Sequence, residues 1–116
     1  MLHTLNIQNT YQSYHAHVYF DEASKDIAKQ LCETSGEKFG LKVGRFHKKL
    51  VGPHPMWSCQ ITVEAKDFEH FIPWLDENRQ GLTIFLHANT GDNMRDHTEL
   101  VSWLGKAVPL NLNFFV

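Results

Sequence analysis

His15 and His17 stand two residues apart in the run Tyr14-His15-Ala16-His17-Val18-Tyr19-Phe20, which alternates as a β-strand does. Successive strand side chains point to opposite faces, so His15, His17 and Tyr19 share one face and Ala16, Val18 and Phe20 the other. Two imidazoles held side by side can grip one metal ion, and imidazole suits iron, zinc, copper and nickel. Three further histidines occupy turn-punctuated contexts: His54 in Gly52-Pro53-His54-Pro55, His87 in Phe85-Leu86-His87-Ala88-Asn89, and His97 after Arg95-Asp96. His3, His47 and His70 read as ordinary surface or partly buried residues. The chemistry therefore depends on whether the fold brings the first five together.

At 116 residues the chain has the length of one domain, 1–116, with a polar lead-in over 1–12 and a tail or added strand over 110–116. Its composition, 42% hydrophobic and 21% charged, is that of a globular protein. A formal charge of −2 gives no global attraction to nucleic acid or to an anionic membrane. Met1 to Tyr14 lacks the basic and apolar regions of a signal peptide. No apolar run approaches the roughly 18 residues that span a bilayer. Cys32 and Cys59, at no metal-like spacing, read as reduced, buried thiols of a cytoplasmic protein.

The elements that must position the histidines can be read in order. A first strand over 14–20 is followed by a helix that Asp21 can cap, with Ala23, Ile27, Ala28, Leu31 and Cys32 on its apolar face and Gly36 and Gly40 marking its end. Leu41 to His47 alternates as a second, edge strand, with Leu41, Val43, Arg45 and His47 opposed to Lys42, Gly44 and Phe46. The two prolines flanking His54 exclude a sheet interior. A third strand runs from about Met56 to Glu64, its Trp57, Cys59, Ile61 and Val63 facing one way. Phe68, Phe71, Ile72 and Leu75 predict a second helix that Pro73 should kink or split and Gly81 should close. Leu82 to His87 gives a fourth strand, and Asp92 caps a short helix through Asp96 and His97.

The order β-α-β-β-α-β predicts an α+β fold of the ferredoxin-like, split β-α-β kind: a four-stranded antiparallel sheet with both helices on one face. The first and third strands are expected as a central parallel pair, with the fourth antiparallel on the other side of the first. The start of the first strand would then lie beside His54 and Ser58 at the start of the third, and beside His87 at the end of the fourth. Because the apolar faces must pack on the helices, His15, His17, Ser58, Gln60, Phe85 and His87 turn to the helix-free face. That places His15, His17 and His87 as an all-histidine metal set, with His54 and His97 as proton donors or substrate anchors. A carboxylate third ligand is harder to find: Glu64 lies too far along its strand, and Asp92 and Asp96 approach only if the loop after His87 folds back. His15-x-His17-x4-Glu22 also matches part of a cupin metal motif, without its flanking glycines.

The pieces Tyr14 to Phe20, Gly52-Pro53-His54-Pro55, Phe71-Ile72-Pro73-Trp74-Leu75 and Leu86-His87-Ala88-Asn89-Thr90-Gly91-Asp92, with Asp96-His97, resemble the fungal and bacterial DOPA 4,5-dioxygenase family over roughly residues 12–110. The resemblance implies an extradiol dioxygenase that uses iron(II), with zinc or another divalent ion as a substitute, to open a catechol such as DOPA. It leaves the metal ligands to the strand argument. On that reading His54 and then His97 shuttle protons, while Arg95, Tyr19 and Gln60 contact substrate. Tyr19 and Phe85 on a helix-free sheet would expose an apolar patch, which a second copy or the segment 110–116 would cover; a homodimer is expected. The competing readings are a non-catalytic metal- or small-molecule-binding module on the same fold and an RNA-binding sheet. The second is disfavoured by Ser58, Gln60 and Thr62 where stacking rings would be needed.

Overall fold

The computed structural model describes residues 7–115. The strands are β1 (Ser13–Phe20), β2 (Lys42–His47), β3 (Trp57–Glu64), β4 (Ile84–Ala88) and β5 (Val101–Leu104), and the helices α1 (Lys25–Phe39), α2 (Ala65–Asn78) and α3 (Asn93–Thr98). The strands form one α+β sheet in the order β2-β3-β1-β4-β5. Every neighbouring pair is antiparallel.

The β1–β3 pair is therefore antiparallel, not parallel as expected. Each of the two β-α-β crossovers skips a strand, and the skipped strand runs the other way. The register Tyr19↔Ser58 and His15↔Thr62 puts the start of β3 beside the end of β1. Glu64 is consequently opposite Ser13, near His15 along the sheet, where it is exposed at the start of α2. On the other side of β1 the pairing is as expected, with His15 directly across from His87.

The hydrophobic core lies between the sheet and the α1/α2 layer. Tyr14, Ala16, Val18 and Phe20 of β1 meet Ile61 and Val63 of β3, Ile84 and Leu86 of β4, and the buried stripe Phe68, Phe71, Ile72 and Leu75 of α2. On α1 the buried stripe is Ala28, Leu31, Cys32 and Ser35, whereas Ala23 and Ile27 are exposed. Ser35 tolerates burial because its hydroxyl donates to the Leu31 carbonyl at 2.8 Å. Cys32 and Cys59 are both free and buried.

Several local expectations change. Ser24, not Asp21, is the residue preceding α1; Asp21 instead braces the turn by accepting hydrogen bonds from the Ser24 amide and hydroxyl. A register shift between Val43 and Phe46 reverses the parity of β2, so Val43 and Phe46 both pack on the core, and Phe46 stacks on Phe20 at 4.1 Å. Pro73 lies within α2 without splitting it. It is on the exposed face, where water can satisfy the carbonyl that loses its intrahelical donor. The helix ends at Asn78, before Gly81. The segment 110–115 is not a strand but contains a 3₁₀ turn, Leu112–Phe115, with Val116 outside the described residues. The fifth strand is Val101–Leu104, too short to be read from its alternation.

Candidate metal and active site

His15 and His17 project from β1 and His87 from β4, all on the face away from α1 and α2. Cross-strand register places His87 beside His15 and, two residues along on the same face, Phe85 beside His17. Diagonal neighbours on one face lie within reach of long side chains. Nε2 of His17 and Nε2 of His87 come to 2.9 Å. Ring centroids of His15 lie 5.9 Å from His17 and 5.3 Å from His87. The ligand atoms of His15, His17 and His87 all fall within 4.8 Å of one another, and so do those of His17, His54 and His97. All five histidines meet around His17.

His54 reaches the group by a different route from the one expected. Its loop joins the start of β3, which is beside the end of β1, and Gly52 at φ +55° turns the chain back over the sheet. Only glycine takes that conformation without strain. The His54 ring lies 4.1 Å from His17, and its Nδ1 is 2.7 Å from the Tyr19 hydroxyl. The backbone amide of Asn111 donates to the Pro53 carbonyl at 2.8 Å, tying the C-terminal segment to this loop.

His97 arrives on α3. Asp92 caps that helix by accepting from the Arg95 amide, as its position predicts. The loop after His87 does fold back: buried Asp96 accepts from the Thr90 amide at 2.8 Å and from its hydroxyl at 2.6 Å. Both carboxylate oxygens are thus engaged by Thr90, so Asp96 fixes α3 and is absent from both ligand groups. His97 stacks on His87 at 4.1 Å, and Phe115 covers it from the other side at 5.1 Å.

The hydrogen-bond network assigns the ring protons. His87 Nδ1–H donates to the Ala88 carbonyl at 2.7 Å, and His97 Nδ1–H to the Asn93 carbonyl at 2.8 Å. His87 therefore keeps a lone pair on Nε2, and Nε2 is the nitrogen that His97 leaves without a backbone partner. Burial pushes the Tyr19 phenol well above its ordinary range, so it stays protonated and donates to His54 Nδ1. The remaining proton of His54 is then on Nε2. Burial, followed by the neighbouring His54 and His87, holds His17 well below the usual imidazole value. Burial drives His87 down to about 3, opposed in part by its bond to the Ala88 carbonyl. It drives His54 down to about 4, with His97 adding to the shift. His15 is lowered in the same way, by burial and then by His97. At neutral pH these four rings are neutral, the form that ligates metal.

A divalent ion fits this donor set. Two imidazole nitrogens on bonds of about 2.1 Å, at right angles on one ion, lie about 3 Å apart. His17 and His87 are already at 2.9 Å. A carbonyl behind a ligand imidazole, as Ala88 provides for His87, is the usual orienting partner.

The residues expected to contact substrate are dispersed. Gln60 is opposite His17 on the same sheet face and half-buried. Tyr19 is buried, with its hydroxyl on His54. Arg95 is exposed, with Nε 3.7 Å from Glu99. The sheet face is not open: Tyr19 and Phe85 are 1% and 0% exposed. His54 packs against both rings, Trp103 flanks Phe85 from β5, and the C-terminal segment, one of the two expected covers, brings Leu110 and Leu112 beside Phe85. That removes the stacking surface an RNA-binding sheet needs. The cupin match fails too, since Glu22 is exposed and paired with Lys25 at 2.7 Å. His47 and His70 stand outside both ligand groups, and His3 lies outside the described residues. Sequence reasoning missed the anchoring role of Asp96 and the support of His54 by Tyr19. The Thr90-Gly91-Asp92 turn followed by a second aspartate was the available signal for the first; nothing in sequence signals the second.

A crystal structure from Nostoc punctiforme, described as a candidate dioxygenase, superposes with a TM-score of 0.87 at 42% identity, covering 90% of this chain and 91% of that one. A Botryotinia fuckeliana protein described as an uncharacterized 21.2 kDa protein is 33% identical over 113 residues, 87% of this chain. A DOPA 4,5-dioxygenase of Amanita muscaria is 30% identical over 110 residues, again 87% of this chain. The chain spans 62% and 48% of the lengths of those two curated relatives. No helix among the described residues is long and apolar enough to cross a membrane. With the family model matching residues 14–114, the chain belongs to the Dopa 4,5-dioxygenase family.

Proposed function

We propose that this chain is a non-haem iron(II) extradiol dioxygenase that opens the ring of a catecholic, DOPA-like substrate with dioxygen. The observation that carries the reading is the meeting of His15, His17 and His87, with two Nε2 atoms at 2.9 Å, in a buried pocket of neutral imidazoles. In this reading those three residues hold the ion. An iron(II) ion held there would supply Lewis-acid and redox chemistry toward a catechol.

The protein's own groups supply the rest. Phe85 and Trp103, cross-strand neighbours with rings 4.7 Å apart, give the site an apolar floor on the β5 side. His54 holds its proton on Nε2, fixed there by Tyr19, and can donate a hydrogen bond to negative charge on a substrate oxygen; it acts as an acid only after first taking up a proton. His97, with Nε2 free, serves as the base that takes a hydroxyl proton from the substrate. Gln60, beside His17, is placed to hydrogen-bond a substrate oxygen.

The remaining readings belong to the same proposal. The strand order β2-β3-β1-β4, with α1 and α2 as the crossovers, supports a ferredoxin-like split β-α-β core extended by β5. Exposed Leu50, Leu112 and Phe114 support a homodimer, which size-exclusion chromatography with light scattering would test. Free Cys32 and Cys59 support a reducing, cytoplasmic setting.

Metal analysis of protein purified without oxygen, followed by oxygen uptake with catechols, tests the activity. Iron at about one per chain with catechol-dependent uptake is expected. No metal, and no uptake after iron is supplied, would replace the enzyme with a non-catalytic binding module.

A further inference from the structure

A groove of about 270 Å³ opens beside the histidine cluster, between β4, β5 and the C-terminal segment. Its apolar walls are Phe85, Val101, Trp103, Val108, Leu110 and Leu112. His97 stands at the boundary, shared between groove and cluster. Val101 is directly across the sheet from His87, so the groove begins where the proposed metal site ends. Sites for whole ligands run from about 300 to 1,000 Å³, so this space suits one substituent and not a second ring system.

Two of the groove's polar groups are already engaged, leaving His97 Nε2 and the Trp103 indole N–H as the uncharged polar atoms on its wall. Thr98 donates its hydroxyl to the Met94 carbonyl at 2.6 Å, and His97 Nδ1–H is held by the Asn93 carbonyl. Among the described residues, no lysine, arginine, aspartate or glutamate lines it. The cations nearest in sequence, Arg95 and Lys106, are both exposed, and Arg95 is turned to Glu99. A carboxylate or ammonium entering this groove would shed water without meeting an opposite charge, whereas an alkyl chain would gain apolar contact with six of the lining residues.

We propose that this groove is the substituent pocket of the enzyme and selects catechols bearing an uncharged, apolar side group over those bearing a charged amino-acid or carboxylate group. The inference rests on the catechol-dioxygenase reading for the position of the ring and departs from DOPA itself in the side group, which the groove makes uncharged. Val101, Trp103 and Val108 are its specificity-determining residues.

Binding with oxygen excluded and iron(II) present separates this from turnover. Trp103 lines the groove, so fluorescence quenching reports occupancy. Titration with 4-propylcatechol is expected to give a Kd at least about tenfold below those of 3-(3,4-dihydroxyphenyl)propanoate and DOPA. Equal or tighter binding of the charged ligands, or no saturable quenching by any of them, would overturn the assignment. Val108→Arg should shrink or reverse the ratio by supplying a cation, and an unchanged ratio in that folded variant would also overturn it. If the variant does not fold, the wild-type ratio still decides. When oxygen is admitted, tight binding of 4-propylcatechol without ring opening would sink the dioxygenase reading and leave the groove's preference standing. Ring opening with DOPA preferred would sink the groove assignment alone.

Discussion

Tyr14, Ala16, Val18 and Phe20 on one face of β1, and His17 and Tyr19 on the other, are all withdrawn from water, yet opposite physics holds them there. Toward the helices, each buried group gains by leaving water, and neighbours need only fill space. Toward His54 and His97, each imidazole loses hydration and must be repaid with a hydrogen bond or an ion. His87, His97 and His54 have such partners in Ala88, Asn93 and Tyr19. The first face should therefore govern stability and the second should govern metal and chemistry, with little exchange between them.

The sharpest test is His17→Ala. It removes the residue common to both ligand groups. Metal affinity and ring cleavage should fall by more than about a hundredfold, since even the partners behind metal ligands are worth 10–100-fold. Circular dichroism should keep its folded signature; loss of the fold as well would end the separation of the two faces. The reciprocal change is Leu75→Ala on α2, fully buried on the other face. Chemical denaturation should show a loss of about 2–5 kcal/mol, while the folded fraction binds metal at the wild-type ratio. A matching loss of metal would show that the layers are coupled.

Acid should attack only the histidine face. His54 and His87 titrate near 4 and 3 when folded, below the ordinary 6.5. Between these values the unfolded chain binds more protons than the native one, so stability rises with pH and falls as pH drops below about 6.5. For the metal-free protein the slope should approach about 1.4 kcal/mol per pH unit for each histidine involved, flattening only toward pH 4 and below. A denaturation midpoint that is flat from pH 7 to 4 would show that these rings are not buried as neutral groups. The smallest effect is expected from Tyr19→Phe, which removes the hydroxyl partner of His54. It should cost about 1 kcal/mol of stability and lower turnover more than it changes KM. Unchanged turnover would take His54 out of the proton path.

Much of this division is written along the chain. The alternation in Tyr14 to Phe20 assigns residues to the two faces whatever the neighbouring strands do, because the pleat has a period of two. The same rule works for β3 and β4. It fails for β2, where one irregularity between Val43 and Phe46 reverses the parity. Pro73 misleads for a related reason: a missing donor breaks a helix only where no water can take its place, and Pro73 faces out. The short strand Val101–Leu104 offers too few residues for its alternation to stand out from a loop.

For the site, the sequence alone determined which histidines lie on one sheet face and that His87 belongs beside His15, since both follow from local periodicity and a single antiparallel pairing. It could not determine how His54 and His97 arrive. The antiparallel β1–β3 register sends the His54 loop to the far end of β1, and only the turn at Gly52 and the Tyr19 hydroxyl return it to His17. The Thr90–Asp96 contact likewise swings α3 over the cluster. Faces are set by short-range geometry that each strand carries within itself. The closure of loops over a face depends on contacts between residues far apart in the chain, which exist only after the sheet has formed.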